Sequence, residues 1–282
     1  MRTTVHKAQV NGIEIAYERA GSGPAVVMVM GSGSPGRVWK AHQQPALVAA
    51  GYEVILFDNR GIAPSSECAS GFTLSDMVAD TAALIEYLDV GPAFVVGTSL
   101  GARVTQELAL ARPDLVRAAA MLATYGRSTA LQEVFSAGER ALYDNHIELP
   151  ADYRAAITAH LNLSPHTLAD DRAARDWLDV IKFSTGALTP GMRAQLTIHT
   201  SEPNRLAAYR DITRPALVVG FADDRTLPVY LAREVAEAIP GAQYAEVART
   251  GHFGYLERPD EVNRIVLDFL GKHRDSGGAH RP

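Results

Sequence analysis

The 282-residue chain predicts an α/β fold, a mostly parallel sheet with helices on both faces and a mainly helical insertion. Three observations carry this. Short unbroken apolar runs alternate with segments of helical periodicity, and such runs are what strands covered on both faces require. A Gly-x-Ser-x-Gly turn, Gly97-Thr98-Ser99-Leu100-Gly101, joins one apolar run to a helical pattern. The alternation breaks down over 125–204 and then resumes. The expected division is therefore a core of 1–124 and 205–271, a helical cap or lid of 125–204, and a polar, Gly-rich tail of 272–282 expected to be disordered.

Val5 to Val10 and Ile13 to Tyr17 flank Asn11-Gly12, a pair suited to a type I′ turn, and read as an antiparallel hairpin. Ala25 to Met30 is a buried strand followed by the loop Gly31-Ser32-Gly33-Ser34-Pro35-Gly36, whose backbone can approach a ligand closely. Val38 to Ala50 reads as a helix stopped by Gly51, and Tyr52 to Phe57 as a strand ending in the turn Asp58-Asn59-Arg60-Gly61. A helical pattern runs from Thr73 through Leu88 to the stop at Gly91-Pro92. The Ser99 strand and helix follow, closed by Pro113, and Leu115 to Ala123 is a further strand. Within the insertion, helical segments are expected at Leu131 to Tyr143, Ala151 to Leu161, Ala169 to Ile181 and Gly191 to Thr197. Beyond it come a strand at Ala216 to Gly220, a helix at Val229 to Ile239, a short strand at Ala242 to Val247 and a helix at Pro259 to Leu270.

Composition narrows the function classes. With 47% hydrophobic and 21% charged residues and a formal charge of −5, nothing invites a nucleic acid or an anionic membrane surface. Cys68 is the sole cysteine, so an intrachain disulfide and a cysteine-based metal cluster are excluded. The N-terminus lacks the apolar core of a signal peptide and no apolar run reaches bilayer-spanning length, so a cytoplasmic protein is expected. The Gly31 to Gly36 loop lacks the ending of a P-loop and the spacing of a dinucleotide fingerprint. No cofactor and no metal are expected.

A serine hydroxyl needs a base to accept its proton and a group to orient that base. Of nine histidines, only His252 lies in a Gly-bounded loop after a strand on the core side of the insertion. His146, His160, His166 and His199 fall within the insertion and read as solvated or structural. The orienting acid is expected at another strand end, where Asp223 and Asp224 are neighbours. Adjacent residues leaving a strand point in different directions, so one faces the imidazole and the other is free for a cap or turn; Asp223 is taken as the acid.

These motifs resemble the α/β-hydrolase family over nearly the whole chain. Gly97-Thr98-Ser99-Leu100-Gly101, then Gly220 with Asp223 and Pro228, then Gly251-His252 stand in that family's order of nucleophile, acid and base. Asp58-Asn59-Arg60-Gly61 with Pro64-Ser65 is similar to its turn after the fourth strand. The resemblance implies an oxyanion hole from the backbone N–H groups of Leu100 and Ser32. Most relatives begin the latter loop with His-Gly, where this chain has Met30-Gly31, which costs no backbone donor but leaves open how the loop is braced. Gly31-Ser32-Gly33 with Trp39 is also similar to the loop of carbon–carbon bond hydrolases acting on vinylogous diketones.

The expected activity is hydrolysis of an ester, thioester or lactone of a mostly apolar small molecule. Its candidate pocket residues are Tyr125, Phe135, Tyr143, Trp177, Phe183 and Phe253. Carbon–carbon bond hydrolysis, acyl transfer and a non-catalytic binding role on the same scaffold stay open. Cofactor-free dioxygenase and hydroxynitrile lyase chemistry stay open too, whereas Ser99 at the elbow disfavours the aspartate-dependent epoxide and haloalkane hydrolases.

Overall fold

The computed structural model describes residues 4–184, 188–201 and 203–274, with the side chains of 199–201 left aside. The His199 side chain and the tail beyond 274 therefore lie outside what is described. The strands are β1 (His6–Val10), β2 (Ile13–Gly21), β3 (Ala25–Val29), β4 (Glu53–Phe57), β5 (Ala93–Thr98), β6 (Val116–Leu122), β7 (Ala216–Phe221) and β8 (Gln243–Val247). They form one sheet in the order β1-β2-β4-β3-β5-β6-β7-β8. β2 pairs antiparallel with β1 and with β4, and every other neighbour is parallel. The hairpin turn takes positive φ at both Asn11 (48°) and Gly12 (76°), as a type I′ turn demands.

Strand alternation divides the core in two. Val27 and Val29 of β3, with Val95 of β5, pack beneath α2 (Leu74–Tyr87), α3 (Leu100–Ala111) and α9 (Val229–Ala238). Val26, Met28, Phe94 and Val96 face the other way, onto α1 (Gln43–Ala49) and α11 (Pro259–Lys272). Unbroken apolar runs in these central strands follow directly, since each side chain has a helix over it.

The single helix expected from Val38 to Ala50 is instead a 3₁₀ segment, Gly36–Ala41, and then α1, divided at His42 with φ −143°. Pro45 explains the break: in the first turn of α1 its missing N–H is harmless, but a continuous helix would drive its ring into the carbonyl of residue 41. α2 begins where expected, on a capping box between Thr73 and Asp76. Thr73 N–H and hydroxyl hold the Asp76 carboxyl below the usual carboxylate range.

Between β6 and β7 lie α4 (Ala130–Asp144), α5 (Ala151–Asn162), α6 (Pro165–Leu168), α7 (Asp171–Ser184) and α8 (Pro190–Ser201). α4 packs against α8, whereas α5 packs against α6 and α7. α10 (Gly254–Glu257) lies just before α11. Residues 272–274, which the sequence reading assigns to the tail, are held to the core. Arg274 donates to the carbonyls of Ala50 and Gly51, and its guanidinium lies over the Tyr52 ring. No described helix is long and apolar enough to cross a membrane.

Candidate active site

The elbow is built by close approach of backbone. A Cβ on Gly97 would lie 2.2 Å from the Gly101 carbonyl oxygen, and one on Gly101 would lie 2.2 Å from the Val29 carbonyl oxygen. Both positions therefore need glycine, which accounts for the outer residues of the motif. Between them Ser99 takes φ 55° and ψ −121°, a conformation costing a side-chain-bearing residue on the order of 1–3 kcal/mol. Its N–H donates to the Leu122 carbonyl at the end of β6 and its carbonyl accepts from Arg103 N–H at 3.1 Å, so strand and helix clamp the turn from both sides.

The acid and the histidine come from the loops after β7 and β8, beyond β6 in the sheet. His252 is 7% exposed, and its Nδ1 lies 2.7 Å from Asp224 Oδ2. Asp224, 6% exposed, also accepts the Leu227 N–H on Oδ1 at 2.7 Å. The structure thus corrects the choice of Asp223 as the carboxylate facing the imidazole. Asp223 Oδ2 accepts from Ser164 Oγ at 2.6 Å, a residue of the α5–α6 junction. The turn register decides the matter: Asp223 N–H donates to the Thr250 carbonyl and Asp224 N–H turns back to Phe221. The two neighbours leave β7 in different directions, as expected, but the turn bond and the imidazole contact fall on the two oxygens of one carboxylate. No local signal at this Asp-Asp pair distinguishes them, because Ser164 lies far away in sequence.

Glu257 is a member of this region that sequence reasoning missed. Its carboxylate accepts the N–H of Gly251 at 2.6 Å and of Ser164 at 3.0 Å, together with the Thr167 hydroxyl. It ties the turn before His252 to the helical segment. Gly251 is required there, since a Cβ would lie 2.6 Å from the Asn162 carbonyl oxygen.

The loop after β3 lies against the elbow, for a Cβ built on Gly31 would be 3.2 Å from the Ser99 Cβ. Its bracing, left open by Met30-Gly31, comes from the turn after β4. Asn59 Nδ2 donates to the Met30 carbonyl at 2.8 Å, and Asp58 Oδ1 accepts the Gly36 N–H at 2.7 Å. Burial raises the Asp58 pKa from its ordinary value, with the Gly36 N–H working against that rise. Leu100, whose N–H opens α3, is fully buried.

The proposed pocket residues divide. Trp177 and Phe253 pack with Ala155, Ala159, Leu163 and Ile181, joining α5 and α7 to the His252 loop. Tyr125 is 2% exposed, packed on Leu227 and Leu231 with the Arg103 guanidinium over its ring, which is a core position. Tyr143 is half-buried on α4. Phe135 is exposed on α4 and Phe183, at 96% exposure, stands in solvent on α7, so neither lines an enclosed pocket as expected. Burial pushes the Cys68 thiol up, which disfavours its thiolate. Among the described residues no group of three or more His, Cys, Asp or Glu side chains is placed to hold a metal ion.

A serine on a strained strand-to-helix turn, with a buried His–Asp pair at strand ends of the same sheet, is equipped for nucleophilic chemistry on a carbonyl. The chain belongs to the alpha/beta hydrolase family, whose model matches residues 26–265, and it is a hydrolase-like enzyme. It is 48% identical over 258 residues to a Mycobacterium tuberculosis protein named "Putative non-heme bromoperoxidase BpoC", across 92% of this chain and 98% of that protein. A crystal structure under that name superposes with a TM-score of 0.89 at 46% identity, covering 92% of this chain and 96% of the other. The pyrrolizixenacetamide deacetylase of Xenorhabdus hominickii is 28% identical, across 94% of this chain and 98% of its own length.

Proposed function

We propose that the chain is a serine hydrolase that cleaves an ester, thioester or lactone of a mostly apolar small molecule through an acyl-enzyme on Ser99. The observation that carries this reading is the 2.7 Å contact between His252 Nδ1 and Asp224 Oδ2, at strand ends of the sheet that presents the strained Ser99 elbow. With Nδ1 committed to Asp224, Nε2 is the nitrogen that takes the Ser99 proton as Oγ attacks the carbonyl carbon. Asp224 holds that tautomer and stabilises the imidazolium. Charge developing on the carbonyl oxygen is met by the N–H groups of Leu100 and Ser32, and losing one such donor costs on the order of a hundredfold in turnover. His252 then protonates the leaving group, and water attacks the acyl-enzyme by the reverse sequence.

The 125–204 segment, acting as a lid, sets which acyl group is accepted. The name of the 48% identical relative supports a second reading, in which hydrogen peroxide replaces water as acyl acceptor and leaves as the peracid. The two readings share the acyl-enzyme. A fluorophosphonate probe is expected to label Ser99, and Ser99→Ala to abolish both labelling and p-nitrophenyl acetate turnover while the circular dichroism spectrum stays unchanged. Labelling or turnover that persists in Ser99→Ala overturns the assignment. Peroxide-dependent, Ser99-dependent bromination of an organic acceptor separates the second reading from the first.

A further inference from the structure

The loop after β3 is anchored at its two ends by Asn59 and Asp58, and both belong to the same turn after β4. Its middle is held from elsewhere. Gln195, on α8, is 0% exposed, and its Oε1 accepts the Gly33 N–H at 2.8 Å while its Nε2 donates to the Arg60 carbonyl at 2.9 Å. A side-chain amide is suited to this place because it carries a donor and an acceptor on one rigid plane; a carboxylate only accepts, and an aliphatic side chain does neither.

Each end of this bridge is itself fixed. Arg60 makes a two-pronged pair with Asp80, its Nη2 donating to Oδ1 at 2.6 Å, and Asp80 is almost fully buried. α8 cannot shift relative to that turn without opening a backbone contact, for a Cβ on Gly191 would lie 2.3 Å from the Gly61 carbonyl oxygen. At the other end, Gly33 takes φ 69° and lies under Met192, whose Cε would be 3.1 Å from a Cβ at that position. The residue so held is the immediate neighbour of Ser32, whose N–H the proposed mechanism assigns to the developing oxyanion.

We propose that Gln195 is a positioning residue for the oxyanion-binding loop: by holding the Gly33 N–H it fixes the Ser32–Gly33 peptide plane, and so, across the Ser32 Cα, limits how far the Ser32 N–H can turn. It adds, from the helical segment, a brace for the middle of a loop whose ends are held by the turn after β4. The proposal rests on Ser99 being the acyl-accepting nucleophile. Misplacing a reacting group by an ångström can cost about a hundredfold in rate, so removal of this brace is felt in the transition state more than in substrate binding.

The test compares wild type, Gln195→Leu, Gln195→Glu and Ser99→Ala in p-nitrophenyl acetate turnover and in inhibition by an aryl trifluoromethyl ketone. The tetrahedral Ser99 adduct of that ketone carries an oxyanion. Gln195→Leu is expected to lower kcat by about tenfold or more, to weaken the adduct by a similar factor, and to leave KM within about twofold. Gln195→Glu keeps the acceptor for Gly33 and loses the donor to Arg60, so about a fivefold loss in both quantities is expected. In whichever variant folds, a kcat within about twofold of wild type, or a rise in KM that accounts for the whole loss, overturns the proposal. Turnover that survives in Ser99→Ala overturns the nucleophile assignment and this proposal with it. Ser99-dependent turnover indifferent to Gln195 overturns this proposal alone.

Discussion

The two halves of the helical segment between β6 and β7 are attached to the core in different ways. The α4–α8 half is seated on the loops after β3 and β4, through the buried Gln195 amide, which bonds to Gly33 and Arg60, and the Gly61–Gly191 backbone contact. The α5–α7 half is seated on the loops after β7 and β8, through Ser164 on Asp223, Glu257 on Ser164, and Phe253 N–H on the Asn162 carbonyl. In the sheet order, β3 lies on one side of β5 and β7 and β8 lie on the other. The segment therefore bridges Ser99, with neutral amide and backbone packing on one side and carboxylates on the other. A perturbation of the first half should reach the oxyanion side of the reaction, and one of the second half the proton-transfer side.

Substitutions across the second half sharpen that contrast, and the largest effect is expected next to the imidazole. Asp224→Asn should lower turnover by about a thousandfold or more, because the amide favours the wrong tautomer of His252. Asp223→Asn, losing only a partner of Ser164, should cost less than about fivefold in turnover and about 1 kcal/mol in stability by urea unfolding. The reverse ranking would return the acid to Asp223. Glu257→Gln comes next. It weakens charge-assisted bonds to Gly251 and Ser164, so about a tenfold fall in kcat and about 1–3 kcal/mol of stability are expected. A loss confined to KM would detach Glu257 from the His252 loop.

The smallest effect lies in the first half and is read in stability alone. Burial, with no compensating partner among the described residues, pushes the Glu139 carboxyl on α4 up to about 7 from its ordinary 4.5. A carboxyl that binds its proton more tightly when folded contributes stability below about 4.5 that is lost as pH rises through about 7. Glu139→Gln should therefore raise the unfolding midpoint relative to wild type at pH 8 and leave it nearly unchanged at pH 4. Equal shifts at both would show that the carboxyl is not desolvated.

Much of this was legible in the residues, and the illegible part has a physical pattern. The central strands were readable because both faces are covered, and Ser99 and His252 because the glycines beside them answer to backbone contacts that admit no side chain. Expected boundaries differ by up to four residues, as where β2 runs on from Tyr17 to Gly21 and α8 from Thr197 to Ser201, and the Val38 to Ala50 helix divides at His42 ahead of Pro45, whose effect a purely apolar pattern does not register. The acid was misassigned to Asp223 because its competitor for hydrogen bonding, Ser164, arrives from another part of the chain. Glu257 and Gln195 were missed for the same reason. Glu257 reaches Ser164 and Thr167, and Gln195 reaches Gly33 and Arg60, across long stretches of chain, and neither stands in a motif. Aromatic residues in amphipathic helices were poor guides to a pocket, since Phe183 stands in water and Tyr125 in the core.

The contact between Gly61 and Gly191 has a consequence for how this scaffold can change. Two backbones pressed together leave room for a side chain on neither, so the turn after β4 and the start of α8 must vary in concert. A helical segment transplanted from a relative would have to bring its own partner for position 61. In that sense the segment is not a detachable module: part of its fit is written into the opposite half of the chain.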